Sequence, residues 1–408
     1  LPDLRPDHPR AAEALWRVAE ILEEQGDRAE AADAFVELAD RYPDDPGAPE
    51  ARFRAGLNRY MLGERETAAQ AWQDLILWYP YDERANAARF WLGKNALEAG
   101  NAISATAYLS RTASTDPWGY YGLRAADLMG GRAPMSATTS SLLPCGSAQE
   151  QQAVLDWMAS WLDREPLPNL SVPPTEVLND PRLARGTELL HLGHFDEGRS
   201  DLEALREDTV GDALSQYHLA LIFREAGLYR SSIIAAATVW RLSPADDITQ
   251  IPRFLGCLVY PTYFDDLVER EAETFGFNPV TLYALLRQES LFEGFATSYA
   301  AAHGLMQVIP ATGAEIAAAL NWPPDYETSD LYRPFVSVRF GVWYLAQQRE
   351  RFDGEIYPAL AGYNGGPGNA ARWWEIAGGD RDLFVEIIGF EETRAYVTRI
   401  TTHHAHYR

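Results

Sequence analysis

The chain has 408 residues, 47% of them hydrophobic, and carries 35 basic against 59 acidic side chains for a formal charge of −24. That length allows two or three domains and a large total core, and the acidity argues against nucleic acid or an anionic membrane surface as the main partner. No apolar run reaches the ~18 to 20 residues of a membrane span, so the chain is read as not transmembrane.

The opening residues, LPDLRPDHPR, are polar and proline-bearing and do not read as a signal peptide; a trimmed mature form has the same appearance, so export stays open. Behind them a unit repeats. LEEQGDRAEAADAFVELADRYP returns as YMLGERETAAQAWQDLILWYP and, more loosely, as LEAGNAISATAYLSRTASTDP. From Gly26 to Gly63 and from Gly63 to Gly100 the step is 37 residues, and Pro43, Pro80 and Pro117 keep it. Each unit predicts a helix, a glycine turn, an Ala-rich second helix and a proline stop. Phe35, Trp72 and Leu109 are the matching large residues, and Ala31, Ala68 and Ala105 the matching small ones that let two helices approach. The pattern resembles tetratricopeptide-type helix pairs, with a period slightly longer than the usual ~34 residues. Such pairs stack into a solenoid whose concave face suits a polymer or a protein partner, and a scaffold with no ligand of its own fits the same repeat.

Residues 130–180 interrupt the array with two Pro/Ser-rich stretches around a short helical run, QEQQAVLDWMASWLD, and read as a surface connection. LHLGHFDEGRSDL and FREAGLYRSSIIAA then place Gly193 and Gly227 34 residues apart, so the helical array resumes. Two cysteines, Cys145 and Cys257, lie far apart and outside any CxxC or Cys/His spacing, which argues against a catalytic thiol or a zinc site. No metal and no cofactor is expected. His403, His404 and His406 near the end have no acidic or cysteine partner at ligand spacing and read as part of a surface or terminal helix. No strand-period alternation of useful length appears, so the fold class is all-α. The expected domains are 1–130 (helical repeats), 131–252 (connection and further repeats) and 253–408.

In that last third, Asn278 and Pro279 predict the N-cap and first turn of a helix on which Leu282, Leu285, Leu286 and Glu289 share one face. An apolar stripe thus ends in a carboxyl. Desolvation there favours the protonated form, the state that a general acid needs. Taken alone, Glu289 reads more readily as a solvated or salt-bridged residue at a helix end. Downstream stand GLMQVIP at 304–310, AGYNGGPG at 361–368 and FEETRAYV at 390–397, each of which alone reads as an ordinary turn or helix.

In this order and spacing, Glu289–Ser290, Gly304–Gln307, Gly362–Asn364 and Glu392–Arg394 resemble the catalytic domain of soluble lytic transglycosylases, over roughly residues 255–408. The helical array suits the large periplasmic members. The resemblance implies a lysozyme-like α-helical domain after the solenoid, and cleavage of the β-1,4 bond between N-acetylmuramic acid and N-acetylglucosamine in peptidoglycan glycan strands. It implies one Glu serving as acid and then as base, with a 1,6-anhydromuramyl product. By position, Glu289 is that group and Tyr363 lies near it, its phenol available to the carboxyl or the substrate. Ser298, Met306 and Gln307 line the cleft, Glu392 meets the stem peptide, and Asn364 is a structural turn residue. Glu293, Asp325 and Asp330 are further carboxylates that the family pattern does not use.

Two departures stand out. Ala301–Ala302–His303–Gly304 replaces the family's Gly-Ala-Ser-Gly and brings an imidazole beside the cleft, and Gly362 and Gly365 replace alanines. Both bear on substrate preference more than on chemistry. A lysozyme-like hydrolase and a non-catalytic glycan-binding scaffold are the alternatives. The resemblance also implies an exported protein of the periplasm or cell envelope, with protein partners for the solenoid as a further expectation.

Overall fold

A computed structural model of the chain describes residue 8 and residues 10–136, 144–162 and 169–408. The helix pairs predicted from the 37-residue step are present as α1 (Ala11–Gln25) with α2 (Arg28–Arg41), α3 (Ala48–Met61) with α4 (Arg65–Trp78), and α5 (Arg84–Glu98) with α6 (Ala102–Thr115), followed by α7 (Tyr120–Met129). Gly26, Gly63 and Gly100 make the turn within each pair at φ of +88°, +77° and +74°, a region costly for any side chain with a Cβ.

What holds each pair together is a matched difference in size. Phe35, Trp72 and Leu109 are buried, and each follows its small partner by sixteen positions (Ala19 to Phe35, Gly56 to Trp72, Gly93 to Leu109). A Cβ at Gly56 would overlap the Trp72 indole, and one at Gly93 would lie 2.7 Å from Leu109 Cδ2. The later pair repeats the device, with a Cβ at Gly186 falling 2.8 Å from Leu202 Cγ. Burial of each large side chain contributes about 2–3 kcal/mol, which requires the facing helix to offer no bulk at that height.

The chain divides into two compact units, Leu1–Ser136 and Ala137–Arg408. The second unit holds α8 (Ala148–Ala159), α9 (Thr175–Leu178), the pairs α10 (Pro181–His191) with α11 (Phe195–Asp208) and α12 (Ala213–Glu225) with α13 (Tyr229–Leu242), then α14 (Arg253–Val259) and α15 (Asp265–Phe275). It continues through α16 (Pro279–Ser290), α17 (Pro310–Leu320), α18 (Pro334–Arg351), α19 (Ile356–Gly365), α20 (Pro367–Ile376), α21 (Arg381–Ile387) and α22 (Glu391–His406). Among the described residues there is no strand, only isolated bridges of His303 to Thr297 and Val308, so the all-α expectation holds. None of the described helices is long and apolar enough to cross a membrane.

The Pro/Ser-rich stretches of the interruption fall partly on 137–143 and 163–168, outside the described residues. The run between them is not a surface connection. Ser147 and Glu150 form a capping box that starts α8, and Val154 and Met158 are fully buried in a core shared with α11 to α14. Cys145 is disulfide-bonded to Cys257 on α14, and Arg253 pairs with Glu150 beside it. The sequence reading left the two cysteines unassigned, because their pairing across 112 residues depends on tertiary packing.

Two further expectations change. α16 is not amphipathic: every side chain from Val280 to Arg287 is buried, so it is a central helix rather than a surface one. Helix α22 is terminal, one of the two readings given for its histidines, but the histidines are not exposed on it. It packs on α16 and α19, His404 is buried, and burial pushes His403 down to about 3 and His404 down to about 4.

Candidate active site

Asn278 caps α16 through a bond to the Val280 N–H and Pro279 opens it, as predicted, so the register that delivers Glu289 to the last turn is set at the first. The helix stops where Leu291 and Phe292 take φ of +51° and +63°. Glu289 thereby sits half-buried at a cleft of about 490 Å³, a volume suited to a small ligand or a few sugar rings. Gln288, Ser298, Gln307, Thr312, Tyr344, Tyr363, Asn364, Glu392, Tyr396 and Arg399 also line it.

Four hydrogen bonds join the four motifs in a closed circuit. Ser290 Oγ donates to the Leu305 carbonyl (2.9 Å), and Tyr363 Oη donates to the Met306 carbonyl (2.7 Å). Thr393 Oγ1 donates to Asn364 Oδ1 (2.7 Å), and Tyr396 Oη donates to Glu289 Oε1. The Glu-Ser helix end thus holds the Gly-Leu-Met-Gln turn, that turn holds the Tyr-Asn helix end, and α22 returns to Glu289. Gly304 is required in this turn. It lies at φ +75°, and a Cβ there would collide with the Leu331 carbonyl.

Burial raises Glu289 from the ordinary carboxylate value of 4.5 to about 8, and the nearby Glu392 charge adds to the rise. The Tyr396 hydrogen bond opposes both, since it stabilises the charged form, but desolvation wins. Near neutral pH the protonated form is therefore favoured. Burial together with the Glu289 charge pushes the phenols of Tyr363 and Tyr396 well above their usual range, so both remain donors. Tyr396 occupies Oε1, and Oε2 is the carboxyl oxygen left for a ligand.

The predicted residues divide. Glu289, Ser298, Gln307, Tyr363 and Glu392 all line the cleft. Ser298 Oγ accepts from the Ala302 N–H (3.0 Å). Gln307, at φ +48°, directs its amide nitrogen to the Gly304 and Ala296 carbonyls at 2.8 and 3.2 Å, which leaves its amide oxygen as the acceptor. Met306 is corrected: its side chain is fully buried against Gly341, and only its carbonyl serves the site, as the acceptor for Tyr363. Tyr363 therefore does not bond the carboxyl. The phenol that does is Tyr396, which sequence reasoning missed although it lies in the FEETRAYV stretch, one helical turn after Glu392.

Asn364 lies in the last turn of α19 rather than in a loop, and its Oδ1 orients Thr393. His303 stands outside the cleft lining, with Nδ1 2.7 Å from Tyr332 Oη. The spare carboxylates lie elsewhere. Glu293 lies 3.6 Å from Arg199 of α11, Asp330 pairs with Arg333 and caps Glu327, and Asp325 is exposed. Among the described residues, Glu289 and Glu392 are the carboxyls that line the cleft.

An all-helical cleft built on one acidic carboxyl is the class of site that the transglycosylase resemblance implies, and comparison with known proteins agrees. Residues 266–382 match the Transglycosylase SLT domain family, and tetratricopeptide repeat models match 13–45, 50–80 and 183–247. The resemblance of the chain to soluble lytic transglycosylases holds. The match ends before α22, so Glu392, Tyr396 and Arg399 stand outside it.

Over 151 residues the chain is 31% identical to the soluble lytic murein transglycosylase of Salmonella typhimurium and 30% identical to that of Escherichia coli K12. Each match covers 36% of this chain and 23% of the relative. Among solved structures it resembles an inactive mutant of the lytic transglycosylase Slt from Pseudomonas aeruginosa, with TM-score 0.67 and 21% identity, over 99% of this chain and 59% of that one. The 70 kDa soluble lytic transglycosylase of Escherichia coli gives TM-score 0.61 and 21% identity, over 98% and 62%. The chain thus spans less than two thirds of the proteins it matches.

Proposed function

We propose that the protein is a lytic transglycosylase that cleaves the β-1,4 bond between N-acetylmuramic acid and N-acetylglucosamine in peptidoglycan. The observation that carries this reading is a single cleft carboxyl raised to about 8 and bound on one oxygen by Tyr396. Glu289 gives its proton from Oε2 to the glycosidic oxygen as the C1–O bond breaks. The resulting carboxylate, steadied by the Tyr396 phenol, takes the proton of the muramyl C6 hydroxyl, whose oxygen closes on C1. The acid is restored, the leaving sugar carries its new hydroxyl, and the muramyl end becomes a 1,6-anhydro ring. Glycosidases that use water or a covalent intermediate need a second carboxylate beside the bond. An internal hydroxyl removes that need, which suits a cleft whose other carboxyl, Glu392, is exposed.

In this reading Gln307 and Ser298 meet sugar N-acetyl and hydroxyl groups, Glu392 meets the stem peptide, and Tyr363 fixes the turn that carries Gln307. The domain responsible is the segment from about residue 253 onward, and the helix pairs ahead of it offer surface for glycan or a protein partner. The Cys145–Cys257 disulfide suits an oxidising compartment and supports a periplasmic or cell-envelope location. The test is to incubate the protein and its Glu289→Gln variant with purified peptidoglycan and weigh the products. Anhydromuramyl ends that vanish in the variant are the expected result. Reducing ends would make the protein a hydrolase, and equal inactivity of both proteins would overturn the enzyme reading.

A further inference from the structure

Helix α22 presents Glu392, Tyr396 and Arg399 to the cleft on one face, and only Tyr396 is engaged by the carboxyl. Seven residues make about two turns and ~10 Å of rise, so an anion and a cation stand at opposite ends of a stripe centred on the phenol that holds Glu289. Arg399 is exposed and makes no ion pair among the described residues. The groups that act on Glu289 are Tyr396 and Glu392, and Arg399 is not one of them. An unpaired guanidinium that faces the cleft without acting on the acid is placed for a ligand rather than for the chemistry, and its planar fork suits a carboxylate.

We infer that Arg399 is a specificity residue that takes a carboxylate carried by a substituent of the glycan strand. The inference rests on the peptidoglycan reading above. Its chemical content is narrower: the cleft prefers strands with free carboxylates over the same strands with those groups blocked.

The experiment compares native peptide-bearing strands with strands whose carboxylates have been converted to carboxamides. Wild type should show KM roughly tenfold higher on the amidated strands, the loss of one charge-assisted contact, with kcat unchanged. Arg399→Gln should show that higher KM already on native strands and lose nothing more on amidated ones, while Arg399→Lys recovers part of the difference. The inference is overturned if Arg399→Gln still discriminates between the two strands as wild type does, or if it lowers kcat at unchanged KM. Calorimetric binding of both strands to Glu289→Gln, with and without Arg399→Gln, separates this from the activity reading. A binding preference that disappears with Arg399 supports the inference even where no anhydro product forms, and a preference that survives sinks it.

Discussion

Glu289→Gln is expected to do more than stop turnover: it should make the fold more stable at neutral pH. Folding raises this carboxyl from 4.5 to about 8. Between those values the unfolded chain has released the proton that the folded chain still holds, so wild-type stability falls as pH rises through that window and levels off above pH 8. At 1.36 kcal/mol per unit, the part of that window between 4.5 and pH 7 gives an upper figure of ~3 kcal/mol at pH 7. Solvent on the open side of the half-buried carboxyl reduces this to ~1–2 kcal/mol. The amide has no proton to lose in this range and keeps an oxygen for the Tyr396 phenol, so it escapes that loss. Urea unfolding of both proteins from pH 4 to pH 9 measures the effect, since carboxylates elsewhere titrate alike in the two and cancel in the difference. The variant should match wild type near pH 4 and exceed it by about 1–2 kcal/mol, or a few degrees in Tm, at pH 8. A difference that stays flat with pH, or a variant less stable at pH 8, would refute the assignment of Glu289 as a carboxyl held protonated by burial.

Three other outcomes follow from the same geometry. Tyr396→Phe removes the one interaction that lowers Glu289, so kcat/KM should fall about 10- to 100-fold and its alkaline limb, near pH 8 in wild type, should move upward in a pH–rate profile. Replacing Cys145 and Cys257 together by Ala opens a 112-residue loop, for which chemical denaturation should report a loss of about 2–4 kcal/mol, with added reductant affecting only wild type. Gly56→Ala drives a methyl into the Trp72 indole and should cost about 1–3 kcal/mol in thermal unfolding of the Leu1–Ser136 unit, whereas Gly63→Ala, with open space around it, reports only the backbone cost of its positive φ.

The helix pairs, their glycine turns and the start of α16 were legible because each is written in local periodicity or in a cap a few residues long. Glu289 stood out for the same reason, as a carboxyl on an apolar row. What the row did not disclose is that the other faces of α16 are covered too, since α22, which packs on it, comes only at the end of the chain. The correction at Met306 has a similar origin. In an irregular turn neither period applies, and the positive φ at Gln307 sends neighbouring side chains in directions that spacing does not set. Tyr363 and Tyr396 look alike as phenols near motifs. Only the packing of α22 on α16 decides which one reaches the carboxyl.

The closed circuit of Ser290, Tyr363, Thr393 and Tyr396 makes the four motifs one heritable object rather than four. A substitution in any of them leaves an orphaned partner in the next, so tolerated change must come in compensating pairs, and a graft of the site into another helical frame must carry all four segments.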